Sequence, residues 1–265
     1  MAFPCWDEPG FKIPWQLTVT LPAALEVASN VPSAQETRTG DLKTVAFGRT
    51  PPMPSYLVAF AVGPLEFVPV PGLPVPGRIV TPRGQSTLAV DAARLAPALL
   101  SRLEAYFGVP HPYPKLDLIA VPEFTYGAME NAGLVTFRDN LLLLNPHQPA
   151  FEARRDLANV AAHEMAHMWF GNLVIIAWWD DLWLSESFAD WICAKIVAQT
   201  NPEYRIEFAM LAGIHNAMVT DALPSVRAVR SRGQWGQGET CNERRWTWAR
   251  ILPGRSTLRV LALQR

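Results

Sequence analysis

His163-Glu164-Met165-Ala166-His167 is followed by Glu186 after eighteen intervening residues. On a helix of about 3.6 residues per turn, positions four apart share a face. The two imidazoles therefore converge on one point, with Glu164 projecting beside them. Two neutral nitrogen donors suit a divalent ion, zinc above all, and the adjacent carboxylate can move protons. The interval to Glu186 leaves room for a turn and a second helix that brings a third ligand. Two His and one Glu leave a fourth position open, as in catalytic zinc sites and unlike closed structural ones. The bland alternative is a buried helix that happens to carry two histidines. The chain has only five histidines, so chance is a poor explanation of this spacing.

A second group of residues is Gly127-Ala128-Met129-Glu130-Asn131. Gly127 has no Cβ, so the backbone there can pass close to a bound molecule. Glu130 offers an acceptor-only carboxylate that can pair with a free ammonium group. On residue chemistry alone, a solvated loop with an unremarkable glutamate is the simpler reading. Asp190 lies one helical turn after Glu186 and is a candidate to orient a ligand imidazole from behind; a solvated aspartate is an equal alternative. His111, His147 and His215 have no partners at ligand spacing. Trp169, Trp178, Trp179, Trp183 and Trp191 read as core residues.

The flanking pattern predicts the elements that position these groups. Ile13 to Leu21, Leu42 to Phe47 and Tyr56 to Val68 are rich in β-branched and aromatic residues and read as antiparallel sheet. Pro69, Pro71, Gly72, Pro74, Pro76 and Gly77 read as a linker between domains. A strand is expected at 78–81, a helix from Ala89 to Phe107 stopped by Gly108, and strands at 116–121 and 133–137. The histidine-bearing helix is expected from Glu152 to Gly171. A second helix is capped by Ser185 and runs to about Gln199, and a third spans Glu203 to Val219. The expected division is a partial β domain at 1–70, a linker at 71–77, a catalytic domain at 78–230 and a divergent, poorly ordered tail at 231–265.

With 49% hydrophobic and 18% charged residues and a net charge of −1, the chain reads as a globular protein with no bulk attraction to nucleic acid or anionic membrane. Basic residues do concentrate in 226–265, which holds nine of the 23 Lys and Arg but two of the 24 Asp and Glu. Cys5, Cys193 and Cys241 form no C-x-x-C pair and no disulfide framework. No transmembrane segment and no leader peptide is legible, and a cytoplasmic location is expected.

Taken together, the two motifs resemble the aminopeptidase N and leukotriene hydrolase family of zinc metallopeptidases. Phe3-Pro4-Cys5-Trp6-Asp7-Glu8-Pro9, Tyr56-Leu57-Val58-Ala59-Phe60, Trp169-Phe170-Gly171-Asn172-Leu173-Val174 and Trp178-Trp179-Asp180-Asp181-Leu182-Trp183-Leu184 extend the likeness from about Phe3 to Arg230. The resemblance implies an α+β fold: a partial N-terminal antiparallel β domain followed by a thermolysin-like catalytic domain. It implies one Zn2+ on His163, His167 and Glu186, with Glu164 as general base. It further implies that Glu130 binds the free amino group of a peptide substrate, and that Gly127, Ala128, Met129 and Asn131 complete the substrate site.

Several positions depart from the family pattern. Ser185-Glu186-Ser187 stands where Asn-Glu-Gly is usual, and Ile175-Ile176 where Thr-Met is common. The family's second amine-binding residue, upstream of the Phe-Pro motif, has no counterpart. Tyr204 is the only tyrosine after Glu186 and falls outside the motif that carries the family's catalytic tyrosine. The change of character after Arg230 suggests a frame shift or artificial junction. The expectation is a weak aminopeptidase with part of its β domain missing, exposed strand edges and poor solubility. An endopeptidase, an epoxide hydrolase or a non-catalytic zinc-binding remnant is the alternative.

Overall fold

Alternation of apolar and polar residues builds the first sheet. In β4 (Leu42–Arg49) every second side chain is buried, so one face packs inward while the other meets solvent. β1 (Gln16–Pro22) and β3 (Ser33–Thr39) pair with it antiparallel on either side. Every residue of β3 is exposed, and its Ser-Ala-Gln-Glu-Thr-Arg-Thr sequence carries no strand signal of its own. Backbone pairing to β4 makes it a strand. In this computed structural model, residues 3–147, 150–222, 224 and 259–262 are described.

A second antiparallel sheet joins β2 (Glu26–Ser29), β5 (Ala59–Gly63) and β11 (Arg259–Ala262) in the order β11-β5-β2. The remainder of the expected tail at 231–265 lies outside the described residues. Tyr56 to Val68, expected as part of an antiparallel sheet, is divided into a 3-10 turn at Ser55–Leu57, β5 and β6 (Leu65–Pro69). Pro64, which cannot donate to a ladder, stands at the break.

The third sheet carries the chemistry. Its order is β6-β7-β8-β10-β9, with β7 (Gly77–Pro82), β8 (Leu116–Val121), β9 (Ala128–Met129) and β10 (Leu134–Arg138). β7, β8 and β10 run parallel, and the two edge strands run antiparallel to their neighbours. All six residues of β8 are buried, as expected of a central strand covered on both faces. The proline-rich stretch 71–77 is held by paired strands on either side of it. It connects β6 to β7 inside one sheet, where Val70 N donates to Gly77 O over 2.9 Å.

α1 (Val90–Phe107) forms the crossover from β7 to β8 and ends, as its sequence predicts, on Gly108 in the left-handed conformation. After β10 come α2 (Asp139–Leu142), α3 (Phe151–Ala166), α4 (Leu182–Thr200) and α5 (Ile206–Asp221). The main core holds Leu99, Leu100 and Leu103 of α1, Leu157, Ala161 and Met165 of α3, and Ile192, Ile196 and Val197 of α4. Two helix boundaries differ from expectation. α3 ends at Ala166, five residues before Gly171, and Ser185 lies inside α4 and not at its cap. Of the five tryptophans expected in the core, Trp169 and Trp179 are buried, whereas Trp178, Trp183 and Trp191 are exposed.

Candidate metal and peptide site

α3 and α4 pack against each other and aim three donors at one point. His163 Nε2 lies 3.0 Å from His167 Nε2. Glu186 Oε2 lies 3.4 Å from the first and 3.6 Å from the second. Tetrahedral zinc with bonds of about 2.0–2.1 Å places its ligand atoms roughly 3.3 Å apart. The donor set and its spacing therefore fit such an ion, with one direction left open toward the cleft. The early end of α3 does not spoil this geometry. His167 keeps helical dihedrals, and its N–H still donates to His163 O over 3.2 Å.

Each imidazole is also held from behind. His167 Nδ1 is 3.2 Å from Phe170 O and 3.3 Å from Ser185 Oγ. His163 Nδ1 is 2.9 Å from Asp190 Oδ1. The turn after α3 that supplies Phe170 O is closed by backbone bonds from Asn172 N to His167 O and from Gly171 N to Val174 O.

A cleft of about 230 Å3 opens over the donors, lined by Tyr126, Ala128, Met129, Glu130, Glu164 and Leu182 besides the three donor residues. Of the substrate-site residues expected from sequence, Ala128, Met129 and Glu130 reach this cleft. Gly127 does not line it; its carbonyl accepts from Arg138 N over 2.8 Å, extending the pairing of β9 and β10. Asn131 is fully buried and points elsewhere, donating to Tyr56 O and accepting from Thr136 Oγ1. Asn172 fixes the loop from below, donating to Glu130 O over 2.8 Å. Tyr126 and Leu182 were not singled out in the sequence. The adjacency of Tyr126 to Gly127 was the one available signal.

The cleft is electrostatically unusual because Glu130, Glu164 and Glu186 share it with two imidazoles and, among the described residues, no Lys or Arg. Burial pushes the Glu164 carboxyl up to about 7, with Glu130 and Glu186 acting in the same direction against the two histidines. Burial disfavours charge on His163, yet its bonds to Asp190, Cys193 and Glu186 raise its pKa. His167 behaves likewise through Glu186 and Glu130. Glu186 resists burial and falls below the usual carboxylate range because both imidazoles donate to it. A field that favours protons on the imidazoles equally favours a cation among the donors.

The remaining sequence candidates lie apart from this cleft. His111 is buried against Trp169 and Tyr113, while His147 and His215 are exposed. Tyr204 packs edge-on against Phe151 at 5.6 Å and lines a separate cavity with Asp91, Arg94 and Arg154. Among the described residues, no helix is long and apolar enough to cross a membrane.

His163, His167 and Glu186 form a group able to hold a metal ion, and sequence comparison identifies a peptidase family. The Peptidase family M1 domain matches residues 92–242, and the Peptidase M1 N-terminal domain matches residues 1–57. The chain belongs to the M1 peptidase family. The M1 match continues to 242, past the change of composition after Arg230. The chain is similar to Aminopeptidase M1-D of Oryza sativa subsp. japonica, with 40% identity over 84% of this chain and 26% of that protein. It is 41% identical to the puromycin-sensitive aminopeptidase of Caenorhabditis elegans over 77% of this chain and 22% of that protein. Aminopeptidase N of Acetobacter pasteurianus is 41% identical over 72% of this chain and 54% of that protein. The chain thus spans about a quarter of the length of the first relatives it matches.

Proposed function

We propose that this chain carries the zinc-binding and amine-recognising part of an aminopeptidase that hydrolyses the N-terminal bond of peptides. The observation that carries this reading is the convergence of His163, His167 and Glu186 within 3.0–3.6 Å, in a cleft shared with Glu164 and Glu130. Zinc bound there would supply a Lewis acid to polarise the scissile carbonyl. Glu164, poised near neutrality by burial, accepts the proton of the attacking water and returns it to the leaving amine. Glu130 pairs with the α-ammonium group of the substrate. An N-acetylated peptide lacks that cation and forgoes the pairing with Glu130. β9 is an edge strand, so its outer side offers the backbone groups of Ala128 and Met129 to an extended peptide.

One observation favours a second reading, a chain that binds zinc with little turnover. Tyr204, the only tyrosine after Glu186, faces a cavity that contains none of the donor residues. A missing hydrogen-bond donor to a developing oxyanion costs about 10²–10³ in rate. Metal analysis of purified chain, paired with hydrolysis of an alanyl amide with and without an N-acetyl cap, separates the two. One zinc per chain with cleavage of the free amine alone is expected. No zinc sinks both readings; zinc without cleavage sinks the first.

A further inference from the structure

α4 presents Glu186 and, one turn later, Asp190, whose Oδ1 lies 2.9 Å from His163 Nδ1. The other ring nitrogen of His163 faces His167 and Glu186. We propose that Asp190 is a positioning residue that holds the His163 imidazole for the metal. This rests on the zinc reading of His163, His167 and Glu186.

An imidazole that donates Nδ1–H to a carboxylate has one lone pair left, on Nε2, and that lone pair points at the donor cluster. The same bond resists rotation of the ring away from His167 and makes Nε2 a stronger donor. His167 is restrained differently, through the backbone carbonyl of Phe170. The two ligands of one motif thus have unlike supports, a carbonyl for the buried ring and a carboxylate for the one nearer solvent.

Two further observations bear on the assignment. The Asp190 side chain is 73% exposed, so it contributes little to packing and its removal leaves the core intact. Behind it, the buried Cys193 thiol lies 3.1 Å from Asp190 O and 3.4 Å from Asn159 Oδ1, closing the wall beneath His163. His163, Asp190 and Cys193 also bring donor atoms within 4.8 Å of one another. As a metal site of its own, that trio would need the Nδ1 lone pair, which a proton shared with Asp190 occupies.

The test compares the 265-residue chain with Asp190→Ala and Asp190→Glu. Each is stripped of metal and titrated with zinc against a chromophoric chelator. Wild type is expected to bind one equivalent, Asp190→Ala to bind about 10- to 100-fold more weakly, and Asp190→Glu to recover most of the loss. Unfolding of the metal-free proteins in urea should be the same for all three, which excludes a merely structural effect. In NMR spectra of the zinc-loaded chain, the His163 Nδ1 proton should be protected from solvent exchange in wild type and lost to exchange in Asp190→Ala. Equal affinity of wild type and Asp190→Ala overturns the proposal while leaving the zinc reading intact. Failure of wild type to bind zinc overturns the zinc reading itself. A second equivalent of zinc that disappears in Cys193→Ser would assign the trio as a site and also overturn the positioning role.

Discussion

A Cβ built on Gly171 would lie 2.7 Å from His167 Nδ1 and 2.8 Å from Ser185 Oγ, and its φ of +131° suits no L side chain. Neither neighbour can yield easily, because the His167 ring is tied to Phe170 O on the same turn. Gly171→Ala should therefore push the ring off the donor cluster. At least a roughly tenfold loss of zinc affinity is expected, by analogy with the loss of other groups that orient ligands, and a chelator-competition titration measures it. Unchanged affinity would mean that the turn can move without the ring. The sequence announced the three clustered donors more clearly than this support. Four-residue spacing on a helix is local geometry, so His163 and His167 were legible at once, and Glu186 followed as the missing donor. Gly171 read only as a helix stop, because its closeness to Ser185 arises from the packing of α3 on α4. Asn131 turns away from the cleft for a similar reason: adjacency to Glu130 says nothing about which way a side chain points, and its bond to Tyr56 O decides it.

Arg78 on β7 and Asp117 on β8 are register partners, joined by two bonds of 2.6 and 3.2 Å. Lys115, just before β8, also reaches Asp117, at 2.9 Å, and the pair is buried. Burial lowers the Lys115 pKa to about 8, outweighing the attraction of Asp117. Between about pH 8 and the ordinary lysine value of 10.5, the unfolded chain binds a proton that the folded chain does not. Stability attributable to Lys115 is therefore present above that window and lost as the pH falls through it. Tyr113 acts oppositely above 10.0, where burial keeps its phenol protonated in the fold alone. Urea unfolding from about pH 8 to about pH 10 should show wild type gaining up to about 2 kcal/mol relative to Lys115→Met. A parallel pH dependence of the two proteins would refute this. Nothing in the sequence pattern marked this cluster, since it depends on strand register. Elements were readable where their own residues set them, as in α1 with its Gly108 stop, and unreadable where a neighbour did, as in the wholly polar β3.

The first sixty residues matter to the cleft because they support the loop that carries Glu130. Asn30, buried after β2, donates to Leu57 O and Ala132 O over 2.8 Å each and accepts from Ala59 N over 2.9 Å. One side chain thus joins β5, the turn before it and the residue next to Asn131. Gly133 belongs to the same junction, since a Cβ there would lie 2.2 Å from Asn30 O, and only a glycine at φ +70° admits that approach. Tyr56 Oη donates to Gly171 O, Lys12 Nζ to Asn172 O, and Trp179 Nε1 to Asp7 O, so the turn behind the histidines is held by the same segment. These shared polar contacts carry support from the first sixty residues to the cleft. Asn30→Ala leaves two carbonyls and one N–H buried without their partner. Each such group costs about 1–3 kcal/mol when counted alone, and the losses overlap, so a destabilisation of about 3 kcal/mol is expected in urea unfolding. His163, His167 and Glu186 stand at α3 and α4, away from Asn30, and zinc affinity should change less than twofold. Displacement of the Glu130 loop should instead appear in recognition of the free amine, as a raised KM for an alanyl amide. A variant that loses stability and zinc together would show that the β segment supports the helices directly and not through the loop.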